Sequence, residues 1–195
     1  KLTKDEQKLI DLIDKNYKET LAILEEVINI NSGSLNKEGV REVGRVFERE
    51  FQKIGFQTEW IELPAEVNRA GHFVATRMGT KGKKLFLIGH LDTVFEKDMP
   101  FTPFTYLNDS TATGQGANDM KGGDVLVLAS LKAMHQLGLL DDRTITVYFN
   151  GDEESTGNAA LSRKDFIERA KQHDVALGYE TAQGFSTATV ARRGA

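Results

Sequence analysis

The 195-residue chain contains no cysteine. Disulfides and thiolate ligands are therefore excluded, and any zinc held here must be held by nitrogen and oxygen. The absence does not name a compartment. No apolar run approaches the roughly 18 residues needed to span a bilayer, so no membrane partner is expected. No N-terminal signal peptide is recognisable. The first residue is Lys1 rather than Met, which fits a cytoplasmic protein whose chain was trimmed and an exported one whose signal was removed. Positive charge is slightly outnumbered, with 25 Lys and Arg against 29 Asp and Glu. The net charge is −4, and the only basic cluster is Arg192-Arg193, which argues against a nucleic-acid partner. There is no internal repeat, low-complexity segment or interdomain linker. The hydrophobic fraction of 39% is ordinary and allows a sizeable core, in one large domain or two small ones.

The residues that are present alternate between two periods. Leu9, Ile13, Tyr17, Leu21, Leu24 and Ile28 recur every three or four positions, which predicts a helix over 3–30. Thr3 and Glu6 have capping-box spacing. A second helix is expected over 37–54, stopped by Gly55. The segments 56–63 and 72–78 alternate like strands. The short apolar runs 84–89 and 143–149 read as strands buried on both faces. Further expectations are a brief strand at 111–114, helices at 121–137 and 158–171, a strand at 174–180 and an extended stretch at 185–192. Helices alternating with apolar strands predict an α/β fold with a mainly parallel, mixed sheet flanked by helices.

Four polar clusters fall at strand ends or turns: Gly89-His90-Leu91-Asp92-Thr93-Val94, Asn118-Asp119-Met120-Lys121-Gly122-Gly123, Gly151-Asp152-Glu153-Glu154-Ser155 and Gly178-Tyr179-Glu180. Ligand sites in open α/β sheets lie at the C-terminal strand edge. His90 and Asp92 share a face by the two-residue period; the imidazole can bind zinc while Asp92 orients it. The plainer reading is a polar strand end. Asp119 sits between glycines that let the backbone approach a ligand closely, and its carboxylate could bridge two cations. It could equally cap the following helix. Glu153 and Glu154 point different ways, so one can bind metal while the other moves a proton. A solvated acidic turn is the bland alternative. Glu180 alone is uninformative, and His72, His135 and His173 read as bland. Together, one imidazole and several carboxylates suggest a two-metal hydrolase.

The motifs Gly89-His90-Leu91-Asp92-Thr93-Val94, Gly114-x-Gly116-x-x-Asp119-Met120-Lys121-Gly122-Gly123 and Gly151-Asp152-Glu153-Glu154 resemble those of the dinuclear zinc exopeptidases, over about residues 20–195. That family includes glutamate carboxypeptidase, aminoacylase and succinyl-diaminopimelate desuccinylase. The resemblance implies one zinc on His90, Asp119 and Glu180, and a second on Asp119 and Glu154. It implies Glu153 as general base, with Asp92 orienting His90. Cobalt or manganese could replace zinc. It also implies a cis peptide bond between Asn118 and Asp119. Glu180 resembles the glutamate carboxypeptidase branch. The expected substrate is a small peptide or N-acyl amino acid, cleaved at an amide next to a free carboxylate.

Family members are about twice as long. Residues 1–195 are therefore expected to be the N-terminal part of the catalytic domain, without the lid or dimerisation domain and the return segment that brings a final His ligand. The full-length protein is expected to be a homodimer and the 195-residue chain a monomer. Two other readings stand beside this one. The chain could be an inactive metal-binding fragment or binding module on the same fold. It could also be a magnesium-dependent phosphate-handling protein, a reading that His90 does not favour.

Overall fold

Runs of β-branched and aromatic residues build the sheet, and amphipathic helices cover it. The computed structural model describes residues 2–182, 184 and 187–190. Helices α1 (Lys4–Lys15), α2 (Tyr17–Ile28) and α3 (Lys37–Lys53) come first. Strands β1 (Gln57–Ile61), β2 (His72–Arg77) and β3 (Lys81–His90) follow. Next are β4 (Thr105–Asn108), β5 (Thr111–Thr113), α4 (Gly122–Gln136) and β6 (Arg143–Asn150). The chain continues through α5 (Ala159–Ser162), α6 (Lys164–Ala170) and β7 (Val175–Gly178).

The main sheet has the order β1-β2-β6-β3-β7. β6, β3 and β7 are parallel, and β2 runs against both β6 and β1. Four of the five strands therefore point one way, in a mainly parallel mixed sheet. The two-residue period divides its side chains. Phe73, Ala75, Leu87, Val147 and Phe149 enter a large core with α2, α3 and α4. Val74, Phe86 and Tyr148 face the opposite side, where Phe166 and Ala170 of α6 cover them.

The caps follow the local chemistry. Thr3 and Glu6 form the reciprocal box, and Gly55 and Gly138 take the positive φ that ends their helices. Three boundaries differ from the periodic reading. The helix expected over 3–30 breaks at Asn16, whose amide donates to Gln136 of α4 at 3.4 Å. Asparagine gives the chain an alternative to the helical ladder there. The helix expected over 158–171 divides at Arg163, because Ser162 and Arg163 turn inward to bond Asp152. The third is β4, an exposed strand without apolar alternation, which pairs with β5. Part of the stretch 185–192, and the Arg192-Arg193 pair, lie outside the described residues. Among the described residues, no helix is long and apolar enough to cross a membrane.

Candidate metal centre

Strand β3 ends at His90, whose ring is 1% exposed. The parallel pairing of β3 with β6 and β7 brings the loops after all three strands to one edge. At that edge His90 Nε2 lies 3.1 Å from Asp119 Oδ1 and 3.2 Å from Glu180 Oε1. His90, Asp119 and Glu154 each offer a ligand atom, and those atoms all lie within 4.8 Å of one another. Asp119 does not cap α4: the residue before that helix is Lys121, with no side-chain capping bond. The non-proline cis bond joins Asp119 to Met120, not Asn118 to Asp119 as expected. Asp119 stands exposed, while Met120 is buried.

Asp92 is fully buried and does more than the spacing implies. His90 Nδ1 donates to its backbone carbonyl at 3.0 Å, with the carboxylate 3.5 Å away. The carboxylate itself accepts Ser34 Oγ–H at 2.6 Å. It also accepts the Glu153 and Glu154 amides, both at 3.0 Å. Burial opposes ionisation, but His90 and Ser34 outweigh it and hold Asp92 below the usual carboxylate range. Glu153 stands exposed beside the cluster and Glu154 is half-buried.

The charges at this edge suit a cation. Burial, then the nearby Asp119 carboxylate, push Glu154 above its ordinary value. Burial disfavours a charged His90, yet Asp92 and Glu180 overcome it and raise the ring to about 11. Crowded carboxylates around one imidazole make a nitrogen-and-oxygen donor set that fits a divalent transition metal.

Residues 86–190, more than half of the chain, match the sequence profile of peptidase family M20/M25/M40. The chain belongs to this family. It is 36% identical to carboxypeptidase G2 of Pseudomonas sp. (strain RS-16) over 159 residues, covering 80% of this chain and 37% of that protein. The chain thus spans little more than a third of this relative's length. Solved structures share the fold at low identity. Human carnosine dipeptidase 1 matches with a TM-score of 0.73 at 18% identity, over 90% of this chain and 41% of that one. The Sulfolobus solfataricus M20 metallo-carboxypeptidase Sso-CP2 matches with a TM-score of 0.64 at 18% identity, over 83% and 37%.

The sequence pointed to His90, Asp92, Asp119, Glu153, Glu154 and Glu180, but not to Ser34, Lys121 or Asp124 around them. Ser34 lies in what reads as a plain turn, 58 residues from Asp92. Lys121 is buried and donates from Nζ to the Val27 and Ile30 carbonyls, both at 2.8 Å. Asp124 lies buried beneath Gly89, and among the described residues neither of its carboxylate oxygens has a hydrogen-bond partner. A motif-internal Lys or Asp carries no signal that says whether it faces inward.

Proposed function

We propose that the full-length protein is a metal-dependent exopeptidase that hydrolyses an amide next to a free carboxylate, and that residues 1–195 are the N-terminal part of its catalytic domain. The observation that carries this reading is the convergence of His90, Asp119 and Glu154 beside Glu153. His90, Asp119 and Glu180 would hold one zinc, and Asp119 and Glu154 a second; cobalt or manganese suits the same donors. Bound metal would supply Lewis acidity toward water and the scissile carbonyl. Glu153, exposed at the rim, takes the proton of the attacking water and returns it to the leaving nitrogen. Asp92 fixes the imidazole through its carbonyl and the Glu153-Glu154 turn through its carboxylate. The substrate is a small peptide or N-acyl amino acid, and the likeness to a carboxypeptidase supports a carboxyl-terminal free carboxylate.

The test is Glu153→Gln in the full-length protein. Metal binding persists while turnover falls by about 10²–10⁴-fold. Unchanged turnover would remove Glu153 from the mechanism.

A second reading has one observation in its favour. Among the described residues there is one three-donor group, and the second metal would have only two ligands from this chain. The isolated 195 residues would then bind metal without turnover, as a monomer, while the full-length protein forms a homodimer. Family-like hydrolysis by the isolated chain excludes this reading.

A further inference from the structure

We propose that His72, which lies outside the metal cluster, is a positioning residue for the Glu153-Glu154 pair. The inference rests on the peptidase reading above.

Strand β6 ends at Asn150, and the next four residues carry the acidic turn. Three of their backbone amides are received by side chains. Asp92 takes those of Glu153 and Glu154. His72 Nδ1 accepts the third, from Gly151, at 3.1 Å. An acceptor at Nδ1 requires the ring proton on Nε2, and that nitrogen donates to the Ser162 carbonyl at 3.0 Å. His72 is fully buried, and burial pushes its imidazole below the ordinary value, which keeps the accepting nitrogen free. A Cβ on Gly151 would meet the Gly71 carbonyl at 2.1 Å. The backbone just before β2 therefore lies against the acidic turn at this point.

The same network grips the next residue. Ser162 Oγ lies 2.9 and 2.7 Å from the two Asp152 carboxylate oxygens. Arg163 donates to the Asp152 carboxylate, to its backbone carbonyl at 3.1 Å and to Thr156 Oγ1 at 2.9 Å. Asp152 is fully buried, one residue before Glu153. The turn is thus held from the metal side by Asp92 and from the opposite side by His72, Ser162 and Arg163. Ser162, His72 and Asp152 are closed to solvent, so this serine, histidine and aspartate position a turn rather than attack a substrate. A small misplacement of a catalytic group costs up to about a hundredfold in rate, which is why a buried anchor behind Glu153 matters for turnover.

The experiment compares His72→Asn, His72→Gln and His72→Leu in the full-length protein. Asn offers an oxygen near the Nδ1 position and preserves the acceptor for Gly151. Gln preserves the donor to Ser162 but leaves the Gly151 amide without its partner. Each variant is assayed for kcat and KM per folded molecule and titrated with Co²⁺ by absorption. The expected result is a kcat lower by about 10–100-fold in Gln and Leu at unchanged KM, recovery in Asn to within about threefold, and weaker Co²⁺ uptake in Gln and Leu only. Equal losses in Asn and Gln, or thermal destabilisation with unchanged kcat and Co²⁺ uptake, would overturn the proposal. If the wild-type protein binds Co²⁺ but hydrolyses neither dipeptides nor N-acyl amino acids, the peptidase reading fails. The Co²⁺ titrations alone then decide the role of His72, by the same contrast between Asn and Gln.

Discussion

Ser34 Oγ lies 2.6 Å from Asp92 Oδ2, with both residues closed to solvent. The contact joins the loop before α3 to the end of β3. The Gly33–Thr93 bridge and the Ser32 hydroxyl on the Leu91 carbonyl reinforce the same seam. Asp92 thus reads the position of the N-terminal helices and passes it to the Glu153-Glu154 amides.

Ser34→Ala removes a charge-assisted bond and leaves the buried Asp92 carboxylate with one donor fewer. The expected cost is about 1–3 kcal/mol in stability. The catalytic effect should appear in kcat rather than KM, because Asp92 holds the turn and the imidazole and not the substrate. Denaturant unfolding beside steady-state kinetics checks both parts. A variant with wild-type stability would show that the Ser34 hydroxyl contributes nothing there.

Lys121 supplies the second tie between the site and the N-terminal helices. Its ammonium occupies the carbonyls of Val27 and Ile30 at the end of α2. Lys121→Met keeps the stem and removes both donors, leaving two carbonyls without this partner. Stability should fall by about 2 kcal/mol or more, read from the midpoint of urea unfolding. A change under about 0.5 kcal/mol, the scale of an ordinary surface substitution, would mean that water replaces the ammonium.

The clusters His90-x-Asp92, Glu153-Glu154 and Glu180 were legible because they sit at strand ends, which show as breaks in an apolar run, and Asp119 stood out by the glycines around it. The mainly parallel sheet followed from the alternation of helices with apolar strands; the strand order did not. The supporting residues were not legible, for two physical reasons. Ser34 and His72 act across 58 and 79 residues of sequence, and only the folded sheet sets those pairings. The breaks at Asn16 and Arg163 come from tertiary hydrogen bonds that override a helical period. The cis bond expected from the family resemblance at Asn118–Asp119 lies instead at Asp119–Met120.

Asp124 is a buried acid without a hydrogen-bond partner among the described residues. Burial raises it well above the usual carboxylate range, and the nearby His90 offsets this only in part. For an acid whose folded value is raised, ionisation opposes folding above the unfolded value and the penalty disappears as pH falls. Asp124→Asn removes the titrating acid and with it this penalty, so the metal-free variant should be more stable than wild type at neutral pH. A gain of about 1 kcal/mol corresponds to roughly 2–4 °C in Tm for a chain of this size. The gap should narrow toward pH 4. A variant less stable than wild type at pH 7 would mean that the charged carboxylate is compensated within the protein.

His90 makes the metal-free site a proton site. Its raised value, about 11, lies far above the unfolded value of ~6.5. The stability it contributes is therefore fully present below pH ~6.5 and is lost as pH rises through about 11. A metal must take the neutral ring, so binding expels that proton. Between pH 7 and 9, Zn²⁺ affinity should rise by about tenfold per pH unit from this group alone. Calorimetry in buffers of different ionisation enthalpy should count about one proton released per His90-bound metal. His90→Asn should abolish that release along with tight binding. Proton release that persists in the variant would place the titrating group elsewhere among the carboxylates of the site.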